Sequence, residues 1–257
     1  MNTVILCGGL GTRLSEETHV KPKPMVEIGG RPILWHIMKL YERHGFLDFT
    51  LALGYKGEVI KDYFLNYHAR QSDLTVYLQN GSIEYSNPTA ENWKINLIHT
   101  GQHTMTGGRL LRLKDHLRAA TFMVTYGDGV ADINISDLIN FHRTHGRIAT
   151  VTAVRPAARF GDIEIEANQV MQFKEKPQSG NGWINGGFFV FEPKIFDYLD
   201  DDTTILEQTP LENLVRDGQL MAYQHNGYWQ CMDTIRDRNA LQALWDSGQA
   251  PWVSGGA

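Results

Sequence analysis

Cysteine is scarce in this 257-residue chain: Cys7 and Cys231 are the two it has. Two thiols can build neither a disulfide framework nor a cysteine metal cluster. A lone thiol in an apolar strand is most often a small core hydrophobe. No apolar run approaches membrane-spanning length, and the N-terminus lacks the basic and apolar regions of a secretory signal. The expectation is a cytoplasmic protein with no membrane partner. Positive charge is also in deficit: 24 Lys and Arg against 29 Asp and Glu leave −5 at pH 7. That balance argues against nucleic acid as a partner. Repeats, low-complexity segments and clear linkers are missing too. What remains is an ordinary composition, 42% hydrophobic and 21% charged, long enough to bury a sizeable core.

The informative stretch is the opening one. Val4, Ile5 and Leu6 form an apolar run stopped by Gly8 and Gly9, followed by Gly11, Thr12 and Arg13. This reads as a buried strand entering a tight loop. Glycines allow close approach of backbone N–H groups to phosphate oxygens. Arg13 adds a planar fork of donors suited to phosphate, and Lys23 a compact point charge. Two better-known loops fail on spacing. A dinucleotide fingerprint needs a third glycine where Leu14 stands, and a Walker loop needs Gly-Lys-Ser/Thr where Gly11-Thr12-Arg13 stands.

Further along, apolar strands alternate with helices. Ile33, Leu34, Ile37, Met38 and Tyr41 recur at helical spacing after Pro32, and Gly45 ends that helix. Phe49–Leu53 reads as a strand and 57–67 as a helix. Leu74–Leu78 and Ile95–Ile98 read as further strands, with a hairpin-like polar stretch over 80–92. Thr106 is a plausible cap for the helix carrying Leu110, Leu113 and Leu117, and Ser136 for a helix ending at His145. Phe122–Thr125 is a buried strand leading into Tyr126-Gly127-Asp128-Gly129, and Ala149–Val154 another. From Gly161 the apolar residues alternate, as in antiparallel strands. Short helices follow Pro193 and span 206–215. A terminal helix covers 234–245, and 253–257 is a frayed tail. The class is α/β: a mostly parallel sheet covered by helices on both faces, with a small antiparallel portion. The whole of 1–257 reads as one domain, with a first part over about 1–155 and a C-terminal part over about 156–257. Ligands in such folds bind beyond the carboxyl ends of strands.

The run GGLGTRL followed by KPKPMVEIGGRPIL resembles the signature of sugar-1-phosphate nucleotidylyltransferases. The likeness continues in order through TGGRL, YGDGVADI, RFG, EKP, INGGFFVF and MDTIRD, covering nearly the whole chain. Glu27 stands where several relatives carry proline, a departure that leaves the lysine register intact. The resemblance implies a Rossmann-like nucleotide-diphospho-sugar transferase fold and Mg²⁺ held by Asp128 and Asp233. Read alone, those two acids are equally an Asp-Gly turn residue and a helix cap.

The resemblance further implies a nucleotide site formed by Leu6, Gly8, Gly9, Gly11, Thr12, Arg13, Lys23, Gly107, Gly108, Arg109, Tyr126 and Gly127. It places the sugar phosphate against Gly161, Glu175, Lys176, Asn185 and Gly186. Arg13, Lys23, Asp128 and Lys176 are the expected catalytic groups. Arg109 matches the cytidylyl type, and its donors suit the acceptor edge of cytosine. A solvent-facing arginine at a helix start is the plainer reading of that residue. The implied substrates are CTP and glucose 1-phosphate, and the products CDP-glucose and pyrophosphate. A homo-oligomer and a role in supplying CDP-activated deoxysugars for polysaccharide such as lipopolysaccharide are also implied. A relative using another nucleotide or sugar, and a non-catalytic sugar-nucleotide sensor on the same fold, remain the alternatives.

Overall fold

The structure is a computed structural model that describes all residues except 10, 12–13, 88–90, 157–161, 167–168, 175–181 and 255–257. The expected site residues Thr12, Arg13, Gly161, Glu175 and Lys176 lie outside the described residues. Seven strands form the central sheet: β1 (Thr3–Cys7), β2 (Asp48–Leu53), β3 (Lys94–His99), β4 (Phe122–Tyr126), β5 (Ala149–Val154), β6 (Ile184–Phe191) and β7 (Leu220–His225). Their order is β7-β5-β6-β4-β1-β2-β3. All run the same way except β6, which is antiparallel to both β4 and β5. Strands from both sides of residue 155 thus share one sheet. The expected small antiparallel piece is the pair 162–166 with 169–174.

β1 shows why the opening run is continuously apolar. Its Val4 and Leu6 enter the core on one face of the sheet, while Ile5 and Cys7 enter the core on the other. A strand covered on both sides has no polar face to display. Helix α1 (Ile33–Arg43) buries Ile33, Leu34, Ile37, Met38 and Tyr41 on one side, as their spacing predicts. Gly45 follows at φ +80°, the left-handed conformation that stops the chain.

Several local expectations are corrected. The helix expected over 57–67 divides at Asn66 into α2 (Gly57–Leu65) and a short turn, Tyr67–Gln71. The strand expected at Leu74–Leu78 is present one residue earlier. Asp73–Tyr77 pairs with Ser82–Ser86 as a separate antiparallel ribbon turning at Asn80-Gly81. Thr106 opens α3 (Thr106–Arg112) but does not cap it; the preceding position is Met105, and the Thr106 hydroxyl is engaged elsewhere. Helix α4 (Ile135–His145) is capped by Asn134, whose side chain accepts from Asp137 N–H at 3.0 Å, rather than by Ser136. The helix expected from 206 starts later, as α5 (Thr209–Arg216).

Thr234 and Asp237 form a reciprocal capping box at the start of α6 (Ile235–Asp246). The tail is not frayed from 253: a final turn, α7 (Pro251–Ser254), buries Trp252, and the Arg43 guanidinium takes the Trp252 and Val253 carbonyls. Among the described residues no helix is long and apolar enough to cross a membrane.

Candidate active site

The carboxyl ends of β1 and β4 open into a cavity of about 560 Å³. Its lining includes Leu6, Gly8, Gly9 and Gly11 from the opening loop, Lys23, and Tyr126, Gly127 and Asp128 after β4. Gly127 is required by packing: a Cβ there would lie 2.8 Å from Pro24 Cγ and 3.0 Å from the Leu6 carbonyl oxygen. Gly11 sits at φ +63°, and its carbonyl accepts from Leu14 N–H at 3.0 Å and Thr18 Oγ1 at 2.9 Å. These bonds tie Gly11 to Leu14 and Thr18.

Asp128 and Asp233 come from distant parts of the chain, and backbone pairing unites them. Gly129–Ala131 runs antiparallel to Trp229–Cys231, with Gly129 opposite Cys231. Met232 N–H then donates to the Asp128 carbonyl at 2.8 Å. Lys23 is delivered by a 3-10 turn over Lys23–Met25, anchored by buried Pro24 and Met25. Its ammonium donates to Asp128 Oδ2 at 2.6 Å and to Asp233 Oδ1 at 2.5 Å. Burial alone would push the lysine pKa down, but the two carboxylates outweigh it and hold the ammonium above its ordinary range. The Cys231 thiol beside them is pushed up to about 12, first by burial and then by the Asp233 and Asp128 charges, so it is no nucleophile at neutral pH. Cys7 is fully buried, as expected of a small core hydrophobe.

Arg109 is 4% exposed, so it is not a solvent-facing helix residue. Its guanidinium donates to the carbonyls of Gly8 (3.0 Å), Leu53 (3.3 Å), Gly101 (2.6 Å) and Gln102 (3.4 Å) and to Thr100 Oγ1 (2.9 Å). Its terminal nitrogens brace the loops on either side of the cavity, which Arg109 also lines. A Cβ on Gly8 would lie 2.0 Å from Arg109 Cζ, so this glycine makes room for the guanidinium.

Gly107 and Gly108 are not among the lining residues and pack on the segment 202–204. A Cβ on Gly108 would fall 2.6 Å from the Asp202 backbone, and one on Gly107 would fall 2.9 Å from the Thr204 carbonyl oxygen. The lining also includes Gln102, His103, Thr104, Met105 and Thr106, which sequence reasoning missed. Only their place directly before the TGGRL motif, or at its first residue for Thr106, pointed to them.

Asn185 and Gly186 sit at the start of β6, next to the cavity residue Tyr126. Asn185 Nδ2 donates to Tyr126 Oη at 3.0 Å, and the Gly186 carbonyl accepts from Trp229 Nε1 at 2.7 Å. The arrangement offers a glycine-lined cavity with the Lys23 ammonium and a pair of convergent carboxylates.

The profile of the nucleotidyl transferase family matches residues 2–237. A glucose-1-phosphate cytidylyltransferase of Salmonella typhi is 53% identical over 253 residues, covering 98% of both chains. A probable glucose-1-phosphate cytidylyltransferase of Bacillus subtilis is 47% identical over 98% of this chain and 99% of its own. Among solved structures, HddC from Yersinia pseudotuberculosis superposes with a TM-score of 0.70 at 26% identity, over 95% of this chain and 99% of its own. A putative glucose-1-phosphate thymidylyltransferase from Bacillus anthracis shares the fold, with a TM-score of 0.67 at 18% identity over 95% and 94% of the two chains. The chain belongs to the nucleotidyl transferase family.

Proposed function

We propose that this enzyme joins CTP and glucose 1-phosphate to give CDP-glucose and pyrophosphate. The observation that carries the reading is the convergence of Lys23, Asp128 and Asp233 on one point beside the Gly8–Gly11 loop. The near-full-length likeness to glucose-1-phosphate cytidylyltransferases supplies the substrates.

In the reaction, a phosphate oxygen of glucose 1-phosphate attacks the α-phosphorus of CTP. A new P–O bond forms as the bond from the α-phosphorus to the bridging oxygen breaks, and pyrophosphate leaves with that oxygen. The nucleophile is already an anion, so the protein need supply no base. Its work is positioning and charge stabilisation. Lys23 takes the α-phosphate region, Arg13 the departing β- and γ-phosphates, and Lys176 the attacking phosphate, with Glu175, Asn185 and the backbone at Gly161 and Gly186 orienting the hexose.

Asp128 and Asp233 are the groups that would hold Mg²⁺. They fit it on two counts: both carboxylates reach a single cation, and oxygen ligands are what a hard divalent ion prefers. When bound, the ion neutralises phosphate charge that the acids would otherwise repel. Pyrophosphate release with glucose 1-phosphate and each of CTP, UTP, dTTP, ATP and GTP tests the reading. CTP is expected to be turned over far faster than the others; equal or greater turnover of another triphosphate assigns a different nucleotide.

The chain is proposed to act as a homo-oligomer. One face of the ribbon 73–86 carries Leu74, Val76, Ile83 and Tyr85, cross-strand partners that are 41–47% exposed. A two-stranded ribbon is marginal in water on its own, and a second copy that covers this face would stabilise it.

A further inference from the structure

The acid that ties the two ends of the cleft together is one that neither the motifs nor the reaction scheme use. Glu207 lies in the segment between Leu199 and α5. Its Oε1 accepts from Tyr126 Oη–H at 2.5 Å, and its Oε2 accepts from Thr106 Oγ1–H at 2.6 Å. Each of those hydroxyls is itself fixed on its far side. Thr106 Oγ1 accepts from Leu206 N–H at 2.9 Å, and Tyr126 Oη accepts from Asn185 Nδ2–H at 3.0 Å. Asn185 Oδ1 in turn accepts from Gly187 N–H at 2.8 Å.

Every hydrogen in this chain has one direction. An ionised carboxylate can only accept, so both hydroxyls donate into it, and Tyr126 has only its oxygen left to offer Asn185. The carboxamide of Asn185 is therefore locked with its nitrogen toward Tyr126 and its oxygen toward Gly187. The ring of Tyr126 is locked as well: Gly187 is at φ +78°, and a Cβ there would lie 2.4 Å from Tyr126 Cδ2. Tyr126 and Thr106 both line the cavity, on the β4 end and on the 102–106 wall respectively. Glu207 itself is not part of the lining.

We infer that Glu207 is a positioning residue for both substrates: through Thr106 it sets the 102–106 wall on the nucleotide side, and through Tyr126 it orients Asn185 on the sugar-phosphate side. The inference rests on the reading of the cleft given under the proposed function. Charge-assisted hydrogen bonds of this length are among the stronger neutral-to-ion contacts, and a fully connected network holds one geometry where separate contacts would hold several. Neither arm touches reacting atoms, so the effect is on where substrates sit.

Four variants separate the arms: Glu207→Ala, Glu207→Gln, Tyr126→Phe and Thr106→Val. Tyr126→Phe cuts the sugar arm and is expected to raise KM for glucose 1-phosphate about tenfold, and KM for CTP by much less. Thr106→Val is expected to do the reverse. Glu207→Ala raises both, and adding Tyr126→Phe to it raises the sugar-phosphate KM no further, because the arm is already broken. Glu207→Gln offers one oxygen where two hydroxyls donate, so it restores one arm and not both.

A residue that merely supports the fold would lower the thermal midpoint and the active fraction and leave both KM values where they were; that pattern overturns the inference, as does an additive double variant. Calorimetric titration of each variant with CTP and with CDP-glucose reads the same pattern without turnover. Failure of the wild type to turn over these substrates would strike the proposed activity. Unchanged KM values in variants of an active enzyme strike only the role of Glu207.

Discussion

Asp128 and Asp233 grip the same ammonium group, Lys23 Nζ, at 2.6 and 2.5 Å. The lysine thus occupies the point where the two acids would share a divalent cation, and it keeps their charges compensated in the absence of one. Nucleotide offers the ammonium an alternative partner in its phosphates, which would clear the seat between the acids. Lys23→Met is expected to bind Mn²⁺ without nucleotide at least about tenfold more tightly than the wild type, since the competing charge is gone. Titration of free Mn²⁺ by electron paramagnetic resonance measures this. Equal affinity in the two proteins would show that lysine and metal do not compete.

Arg109 is predicted to act on the shape of the cleft before it acts on the base. Removing it leaves the Gly8, Gly101 and Gln102 carbonyls without the charged donor that holds them. Arg109→Ala should cost about 2–4 kcal/mol, a fall in Tm of roughly 5–10 °C for a chain of this size. It should weaken CTP and UTP together, with kcat/KM for both falling and their ratio nearly unchanged. An unchanged Tm with collapsed CTP-over-UTP selectivity would return Arg109 to base reading.

Acid should destabilise the fold through His36. The residue is buried, Trp252 Nε1–H donates to its Nδ1 at 3.3 Å, and its Nε2–H therefore donates to the Ile28 carbonyl at 2.8 Å. Burial, with a smaller push from Arg31, lowers its pKa to about 4. The unfolded chain takes up the proton near pH 6.5, so the stability is complete above 6.5 and is lost as pH falls from there through 4. Between pH 7 and 4.5 this one residue should remove about 2 kcal/mol. Denaturant unfolding at both pH values should show a smaller acid loss in His36→Gln than in the wild type. An equal loss in the variant would assign the effect to other groups.

The ribbon 73–86 should set the assembly. Val76→Asp and Ile83→Asp place like charges directly opposite on the apolar face. Light scattering after size exclusion should show the double variant at a smaller mass than the wild type, with the far-ultraviolet dichroism unchanged. Identical masses would place any interface elsewhere.

Much of the scaffold was legible because its elements are locally encoded. The spacing of Ile33 through Tyr41 and the two-sided burial of β1 state their environment directly. The convergence of Asp128 and Asp233 was not locally legible, because it depends on pairing between Gly129–Ala131 and Trp229–Cys231; only the resemblance joined them. The partners of Arg109 were hidden for a physical reason: a charge at a glycine-rich helix start reads as facing a ligand or water, and nothing nearby in sequence reveals the carbonyls that collect around it. Glu207 left no signal at all, since its partners Thr106 and Tyr126 lie far away along the chain. The ribbon was legible as a strand with Asn80-Gly81 at its turn, but nothing local in Leu74–Leu78 reveals that it lies at the surface, apart from the main sheet.

A crystal grown with CTP and Mn²⁺, read by anomalous scattering at the manganese edge, tests the central claim most directly. The account predicts a manganese peak between the Asp128 and Asp233 carboxylates, with Lys23 withdrawn to the nucleotide phosphates and the triphosphate along the Gly8–Gly11 turn. A triphosphate bound away from that turn, or a manganese peak remote from both acids, would contradict it.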